Sequence, residues 1–197
     1  MKSEPSFYLN ENVVALARKL LGHNLYTFID HKLCGVTIAE TEAYAGIGDK
    51  ASHAYGGRYT RRTATLFEAG GIAYVYLCYG IHHLFNVVTA GAGIPHAVLI
   101  RGAIAHTNLA EMNRRLGGKQ QKTPLLNGPG KLSKALGITL KHNAISLNSN
   151  TVWIEPPIAE IQNASICVDK RVGIGYAEED AELPYRFYLK DYWKSNK

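Results

Sequence analysis

The stretch that decides the fold reads IAYVYLCYGIHHLFNVVTAGAGIPHAVLIR and covers residues 72–101. Within it, Ile72–Tyr79, Leu84–Thr89 and Ala97–Arg101 are rich in β-branched and aromatic residues, which is typical of strands. The segments between them, residues 80–83 and 90–96, are short. Because a parallel pair needs a crossover of a dozen or more residues, connections this short predict antiparallel neighbours.

The flanking sequence adds helices and further strands to this sheet. A helical apolar pattern runs between Asn10, a potential N-cap, and Gly22, a potential end. The other predicted elements are helices over 108–116 and 131–136, strands over 24–29, 33–41, 151–154, 164–168 and 185–189, and loops over 46–65 and 118–123. Strands cluster without regular βαβ alternation, so the predicted fold class is α+β, with a largely antiparallel sheet in a single domain over residues 1–197.

The composition describes a basic globular chain. Its 197 residues carry 22 Lys and Arg against 16 Asp and Glu, which gives a net charge of +6. This balance favours a partner with a phosphate backbone, although many basic proteins bind nothing anionic. The 12 tyrosines against five phenylalanines favour rings that suit base stacking, and the alternative is that some of them are half-buried strand residues. No apolar run approaches a membrane span, and none follows the N-terminus as in a secretory signal. We therefore expect no membrane association, and the short N-terminus without an added tail favours a bacterial cytoplasm.

One predicted strand runs into two carboxylates. Strand alternation places Glu40 and Glu42 on the same face as the apolar positions Cys34, Val36 and Ile38. A carboxylate at the end of a buried strand face, with a tyrosine two residues on, is a candidate general base. The alternative is that the strand has simply reached solvent, as strand-end glutamates usually have.

Three tyrosines follow in the central stretch. Tyr74 and Tyr76 share a strand face, whereas Tyr79 has the opposite parity and precedes Gly80, which allows a turn. A tyrosine at a hairpin tip is exposed and can act as a wedge in a base stack. The alternative is a turn tyrosine that packs on its own hairpin.

The other motifs do not match a known cofactor-binding or metal-binding pattern. Gly128-Pro129-Gly130-Lys131 precedes a helix but lacks the remaining residues of a phosphate-binding P-loop, although its backbone N–H groups could still meet a DNA phosphate. His82 and His83 are adjacent and would point to opposite sides of a strand, which argues against a metal pair. The three scattered cysteines are typical of reduced thiols.

Several segments follow one another in a specific order. They are Glu40-Thr41-Glu42-Ala43-Tyr44, Ser52-His53, Gly56-Gly57-Arg58, residues 74–80, Asn86-Val87-Val88, Val98-Leu99-Ile100-Arg101, Gly128-Pro129-Gly130-Lys131-Leu132 and residues 171–176. Together they resemble the alkyladenine (3-methylpurine) DNA glycosylase family over about residues 7–190. The resemblance implies one mixed α/β domain around a curved antiparallel sheet, similar to the C-terminal domain of methionyl-tRNA formyltransferase.

The resemblance also implies a role for each matching residue. Glu42 is expected to be the general base that activates water, and Arg101 to be its partner at the water site. The other residues are expected to bind DNA. Tyr44 is expected to stack on one face of the flipped base, and His53 and Tyr76 to cover the other face. Asn86 is expected to crowd the exocyclic amine of guanine, and Tyr79 to fill the gap left in the duplex.

The implied activity is base-excision repair of double-stranded DNA by a monofunctional DNA N-glycosylase. The expected lesions are 3-methyladenine, 7-methylguanine, hypoxanthine and ethenoadenine. No lysine stands in a motif that the family uses as a nucleophile, so we expect hydrolysis to an abasic site without a lyase step. No metal or organic cofactor is implied, and a nucleoid-associated monomer is the expected form.

Two other functions compete with this one. A non-catalytic nucleic-acid-binding module of the same fold would have no use for a carboxylate that faces polyanionic DNA, so Glu42 argues against it. A nucleoside hydrolase that acts on small molecules would gain nothing from a wedge at Tyr79 or from a basic surface.

Overall fold

The computed structural model describes residues 1–117, 125–159 and 161–190. The strands of these residues are β1 (Asn24–Ile29), β2 (Lys32–Tyr44), β3 (Ala73–Cys78), β4 (His82–Thr89), β5 (His96–Thr107), β6 (Leu125–Asn127), β7 (Val152–Glu155), β8 (Ile166–Asp169) and β9 (Arg186–Leu189). The α-helices are α1 (Val13–Lys19), α2 (Leu109–Leu116) and α3 (Pro129–Leu136). Short 3-10 helices lie at Pro5–Leu9, Gly46–Gly48, Tyr55–Gly57, Ala64–Phe67, Leu140–His142, Asn163–Ser165 and Gly175–Glu182.

All described strands join one antiparallel sheet. Its main order is β3-β4-β5-β2-β1-β7, with β9 beside the second half of β2, β8 beside β9, and β6 beside β5. The sheet curls into half a barrel, and the described residues form one mixed α/β domain. The predicted α+β class and antiparallel sheet are therefore confirmed, and β2 and β5 lie at the centre of the sheet.

The helices pack on one face of this sheet and form the core with it. Leu16 of α1, Met112 of α2 and Leu136 of α3 are fully buried in the same apolar cluster as Ile38 and Ile100 of the central strands. Full burial of a large aliphatic side chain contributes about 1.5–3 kcal/mol. The core therefore holds β2 and β5 firmly, while their opposite face is free to carry polar side chains.

A β-bulge changes which residues share a face of β2. Ile38 pairs with Ala103 and Glu40 pairs with Gly102, so β2 carries one extra residue between Ile38 and Glu40. An extra residue inverts the alternation that follows it. The expectation of one common face is therefore wrong: Cys34, Val36 and Ile38 enter the apolar core, whereas Glu40 and Glu42 lie on the opposite face, beside Arg101.

Several predicted boundaries shift. Helix α1 is capped by Asn12 and not by Asn10, because the Oδ1 atom of Asn12 accepts a hydrogen bond from the backbone N–H of Ala15 at 2.9 Å. Strand β2 continues past Thr41 to Tyr44, so both carboxylates are inside the sheet. The predicted loop 46–65 contains short 3-10 helices, and the predicted loop 118–123 lies outside the described residues.

The described residues hold neither a membrane-spanning helix nor a metal-binding cluster. None of their helices is both long and apolar enough to cross a bilayer. They contain no group of three or more His, Cys, Asp or Glu side chains that could hold a metal ion. The thiols of Cys34, Cys78 and Cys167 are free, as predicted.

Candidate active site

A row of side chains crosses the free face of the sheet. Tyr74 of β3 is the register partner of Asn86 on β4, Asn86 is the partner of Leu99 on β5, and Leu99 is the partner of Glu42 on β2. Cross-strand partners project from the same face, so residues far apart in the chain become neighbours. The row ends at Glu42 in the middle of the sheet.

A cavity of about 400 Å³ opens over this row. Six of the predicted site residues line it, namely Tyr44, His53, Tyr76, Tyr79, Asn86 and Arg101. Glu42 has no exposed surface and lies beneath the lining, in contact with Tyr44 and Arg101. The sheet and the loop that carries His53 therefore bring all seven predicted residues to one place.

Glu42 is buried and held at both carboxylate oxygens. Its Oε1 atom accepts a hydrogen bond from the backbone N–H of Val172 at 2.8 Å, and its Oε2 atom accepts one from the Tyr44 hydroxyl at 2.9 Å. Burial raises the pKa of Glu42, while the nearby charge of Arg101 and the two hydrogen bonds oppose that rise. The strand therefore has not reached solvent, and the carboxylate combines a fixed orientation with increased basicity.

Arg101 stands at a second bulge, this one in β5. Gly102 pairs with Glu40 and Ile100 pairs with Thr41, so Arg101 between them is an extra residue. Its Nε atom donates to Oε1 of Glu40 at 3.1 Å, and its Nη1 atom lies 3.5 Å from Oε1 of Glu42. Bulges often redirect a side chain next to an active site, and here the bulge brings one guanidinium to two carboxylates.

A second buried ion pair supports the wall that carries Tyr44. The two terminal nitrogens of Arg171 donate to the two oxygens of Asp49, at 2.5 and 2.9 Å, and both side chains are almost fully buried. The Arg171 guanidinium also donates to the carbonyl of Ala43 at 2.9 Å, and its central carbon lies 4.9 Å from the centre of the Tyr44 ring. Neither Arg171 nor Asp49 was predicted as part of the site, although Arg171 opens one of the family-like segments.

His53 reaches the cavity from the loop after β2. Its Nε2 atom lies 3.3 Å from Nη2 of Arg62, and its Nδ1 atom lies 2.9 Å from the hydroxyl of Tyr74. A guanidinium only donates, so Nε2 is the acceptor and Nδ1 carries the proton. Burial and the charges of Arg62 and Arg58 lower the pKa of His53 to about 4, so the ring is neutral at neutral pH.

The aromatic side chains form a connected group. The ring of His53 meets the ring of Tyr76 edge-on, with centroids 4.6 Å apart, and the Arg62 guanidinium lies 5.0 Å from the Tyr76 centroid. Asn86 is buried below them and donates from Nδ2 to the carbonyl of Tyr74 at 3.1 Å. Tyr76 is therefore held by contacts of its ring with His53 and Arg62, and the backbone of Tyr74 is held by Asn86.

Tyr79 stands at the tip of the β3–β4 hairpin. Its side chain is 90% exposed, so it does not pack on its own hairpin. Its backbone φ of 50° and the φ of 74° at Gly80 lie in the left-handed region, because both residues stand at the centre of a tight turn that the N–H of Ile81 closes on the carbonyl of Cys78. Leu77 and Ile81 on either side are also exposed, and together they make an apolar tip beside the cavity.

Comparisons with known proteins place the chain in one family. The model of the family described as methylpurine-DNA glycosylase (MPG) matches residues 6–193. A protein named "Putative 3-methyladenine DNA glycosylase" from Chlamydia felis is 48% identical over 186 residues, which cover 93% of this chain and 94% of that protein. One with the same name from Bacillus mycoides is 46% identical over 198 residues, with coverage of 96% and 97%. The chain therefore belongs to the methylpurine-DNA glycosylase family and is a DNA glycosylase of base-excision repair.

Proposed function

We propose that this enzyme flips an alkylated or deaminated purine out of duplex DNA and hydrolyses its N-glycosidic bond with a water activated by Glu42. The observation that carries the proposal is the buried Glu42 carboxylate, held at both oxygens under an aromatic cavity that is large enough for one base. The proposed substrates are 3-methyladenine, 7-methylguanine, hypoxanthine and ethenoadenine, and the product is an abasic site.

Glu42 would act in two ways. The glycosidic bond of a nucleotide breaks through an oxocarbenium-like transition state, and a carboxylate near the anomeric carbon stabilises that positive charge. The same carboxylate accepts a proton from the attacking water. Arg101, the Tyr44 hydroxyl and the Val172 N–H would hold it in one orientation for both tasks. An N3- or N7-alkylated purine leaves easily because it is already cationic, so one carboxylate is sufficient.

Base recognition would come from the walls of the cavity. Tyr44 would stack on one face of the flipped base, and His53 with Tyr76 would cover the other. His53 is neutral at neutral pH, so its ring adds no charge that would repel a cationic purine. Its backbone N–H would read the base edge, and Asn86 would disfavour unmodified guanine by crowding the exocyclic amine. 7-Methylguanine carries the same amine, but it is cationic and leaves easily, so it would remain a substrate despite that crowding.

Hydrolysis without a lyase step is part of the same proposal. A lyase forms a Schiff base between an amine of the enzyme and the opened sugar. No lysine occurs among the described residues that line the cavity. We therefore propose a monofunctional glycosylase that leaves the DNA backbone intact.

Duplex oligonucleotides that each carry one of the four lesions test this function. The purified enzyme is incubated with each duplex, and half of each sample is then treated with alkali, which cleaves abasic sites. We expect strand breaks that depend on both the lesion and the alkali. Breaks without alkali would reveal a lyase step, and salt-sensitive binding without any excision would contradict the catalytic role of Glu42.

The Tyr79 wedge gives a separate prediction. Replacing Tyr79 by Ala removes an exposed ring that would stack in the gap left by the flipped base, and such stacking contributes about 1–3 kcal/mol. We expect about ten-fold weaker binding to a lesion duplex and a smaller fluorescence rise from a 2-aminopurine placed next to the lesion. Tyr79→Phe, which keeps the ring, serves as the matched control and should bind like the parent enzyme. Parental affinity in the alanine variant would show that another group fills the gap.

The proposal extends to the oligomeric state and the cellular location of the enzyme. We propose a monomer that acts on the nucleoid of a bacterial cytoplasm, because one cavity with one hairpin tip suffices for one lesion. The similarity of the fold to the C-terminal domain of methionyl-tRNA formyltransferase also stays a prediction. Sedimentation of the enzyme with and without a lesion duplex tests the monomer.

A further inference from the structure

Behind Glu42, the site continues as a network of side chains with alternating charges. Arg101 bridges Glu42 and Glu40, and Glu40 in turn accepts a hydrogen bond from Nη1 of Arg186 at 3.0 Å. Arg186 also donates from Nη2 to Oδ2 of Asp169 at 2.6 Å, and the network reaches solvent at Asp169. Glu40 lies at the centre of this network and is 1% exposed, yet neither hydrolysis nor base binding as proposed above uses it.

Arg101 divides its donors unequally between the two carboxylates. Its closer contact, 3.1 Å from Nε, goes to Glu40, and Glu42 receives a longer one, 3.5 Å from Nη1. A guanidinium can instead form a closed pair with one carboxylate through two parallel hydrogen bonds. Here Arg101, which stands at its bulge, contacts both carboxylates and forms no closed pair with either.

We propose that Glu40 is a positioning residue that draws the Arg101 guanidinium away from a closed pair with Glu42 and so keeps Glu42 available as a base. This inference rests on the proposed function of Glu42. Glu40 touches neither the base nor the attacking water; it acts only through Arg101. Arg186 compensates the charge of Glu40 from the other side, which allows a second buried carboxylate to stand near Glu42.

The sign of the expected effect follows from the charged and titratable groups that face Glu42. They are Glu40 and the Tyr44 hydroxyl on β2, Arg101 on β5, Arg186 on β9 and Arg171 beside the Val172 N–H. The Glu40 charge raises the pKa of Glu42, and the Arg101 charge lowers it. Neutralising Glu40 must therefore lower the pKa of Glu42, and removing Arg186 must raise it.

The test is the pH dependence of single-turnover excision from a lesion duplex. In Glu40→Gln we expect the acid limb to move down by about one pH unit and the plateau rate to fall several-fold, because a less basic carboxylate is a weaker general base. In Arg186→Gln we expect the acid limb of the pH profile to move to higher pH. Glu111→Gln is the matched control, since Glu111 is also a buried carboxylate that binds two arginines, but on α2 and outside the cavity lining.

The outcomes separate this inference from the function on which it rests. Excision that survives in Glu42→Gln would overturn the proposed base itself. If Glu42→Gln is inactive while Glu40→Gln and Arg186→Gln keep the parental pH profile, only the positioning role is overturned. If Glu40→Gln does not fold, the upward shift in Arg186→Gln carries the test, and an unmoved limb in that variant contradicts the inference.

Discussion

Replacing Glu42 by Gln is expected to abolish excision while lesion DNA still binds. The substitution removes both a general base, which contributes about 10²–10⁴-fold, and a negative charge next to the developing oxocarbenium ion. We therefore expect the single-turnover rate constant to fall by at least about 10³-fold for every lesion. Affinity should be kept or increased, because the lost charge faces polyanionic DNA.

The side-chain amide introduced by Glu42→Gln fits the same space but cannot form all of the same hydrogen bonds. If its oxygen accepts from the Val172 N–H, its NH₂ group donates to the Tyr44 hydroxyl oxygen, and the Tyr44 O–H is left without its acceptor. A buried donor left in this way costs about 1–3 kcal/mol, so thermal unfolding is measured beside activity. Glu111→Gln again provides the control for a buried carboxylate. A rate within ten-fold of the parent in well-folded Glu42→Gln would exclude Glu42 as the base.

The architecture could be predicted from the sequence because its signals are local. Strand β1 was predicted at its observed bounds, and the short connections between β3, β4 and β5 correctly predicted antiparallel pairing. The bulges in β2 and β5 could not be predicted, because an extra residue is visible only when both strands are in register. That missing information caused the error over the face that Glu42 occupies.

The site residues were predicted from a resemblance, and the structure brings all seven together without testing their roles. The residues that support them were missed. Glu40 was visible only as a neighbour of Glu42 in a predicted strand, and nothing local indicates that it binds Arg101 and Arg186. Asp49 lies 122 positions from Arg171, and no periodic pattern connects positions so far apart. Such pairs depend on tertiary packing, which a single sequence does not reveal.

The Asp49–Arg171 pair gives the second large effect that we expect. Asp49 accepts four hydrogen bonds, two from Arg171 and two from the backbone N–H groups of Ala45 and Ala51. Replacing Asp49 by Asn leaves the Arg171 charge buried without a compensating carboxylate. Breaking a buried pair in this way costs about 3–5 kcal/mol, so we expect a loss of that size in the free energy of unfolding by urea.

An exposed pair one residue away supplies the matched control. Lys170 and Glu182 form an ion pair that is largely in water, so Glu182→Gln should lose less than about 1 kcal/mol. A loss in Asp49→Asn no larger than that would mean that Arg171 finds other partners.

Stability is not the only consequence that we expect from Asp49→Asn. Arg171 lies over the Tyr44 ring and directly precedes Val172, whose N–H binds Glu42, so a displaced guanidinium disturbs the base wall and the carboxylate together. Excision by the folded fraction should therefore fall in Asp49→Asn and remain parental in Glu182→Gln. Equal rates in the two variants would show that the pair holds the fold without positioning the site.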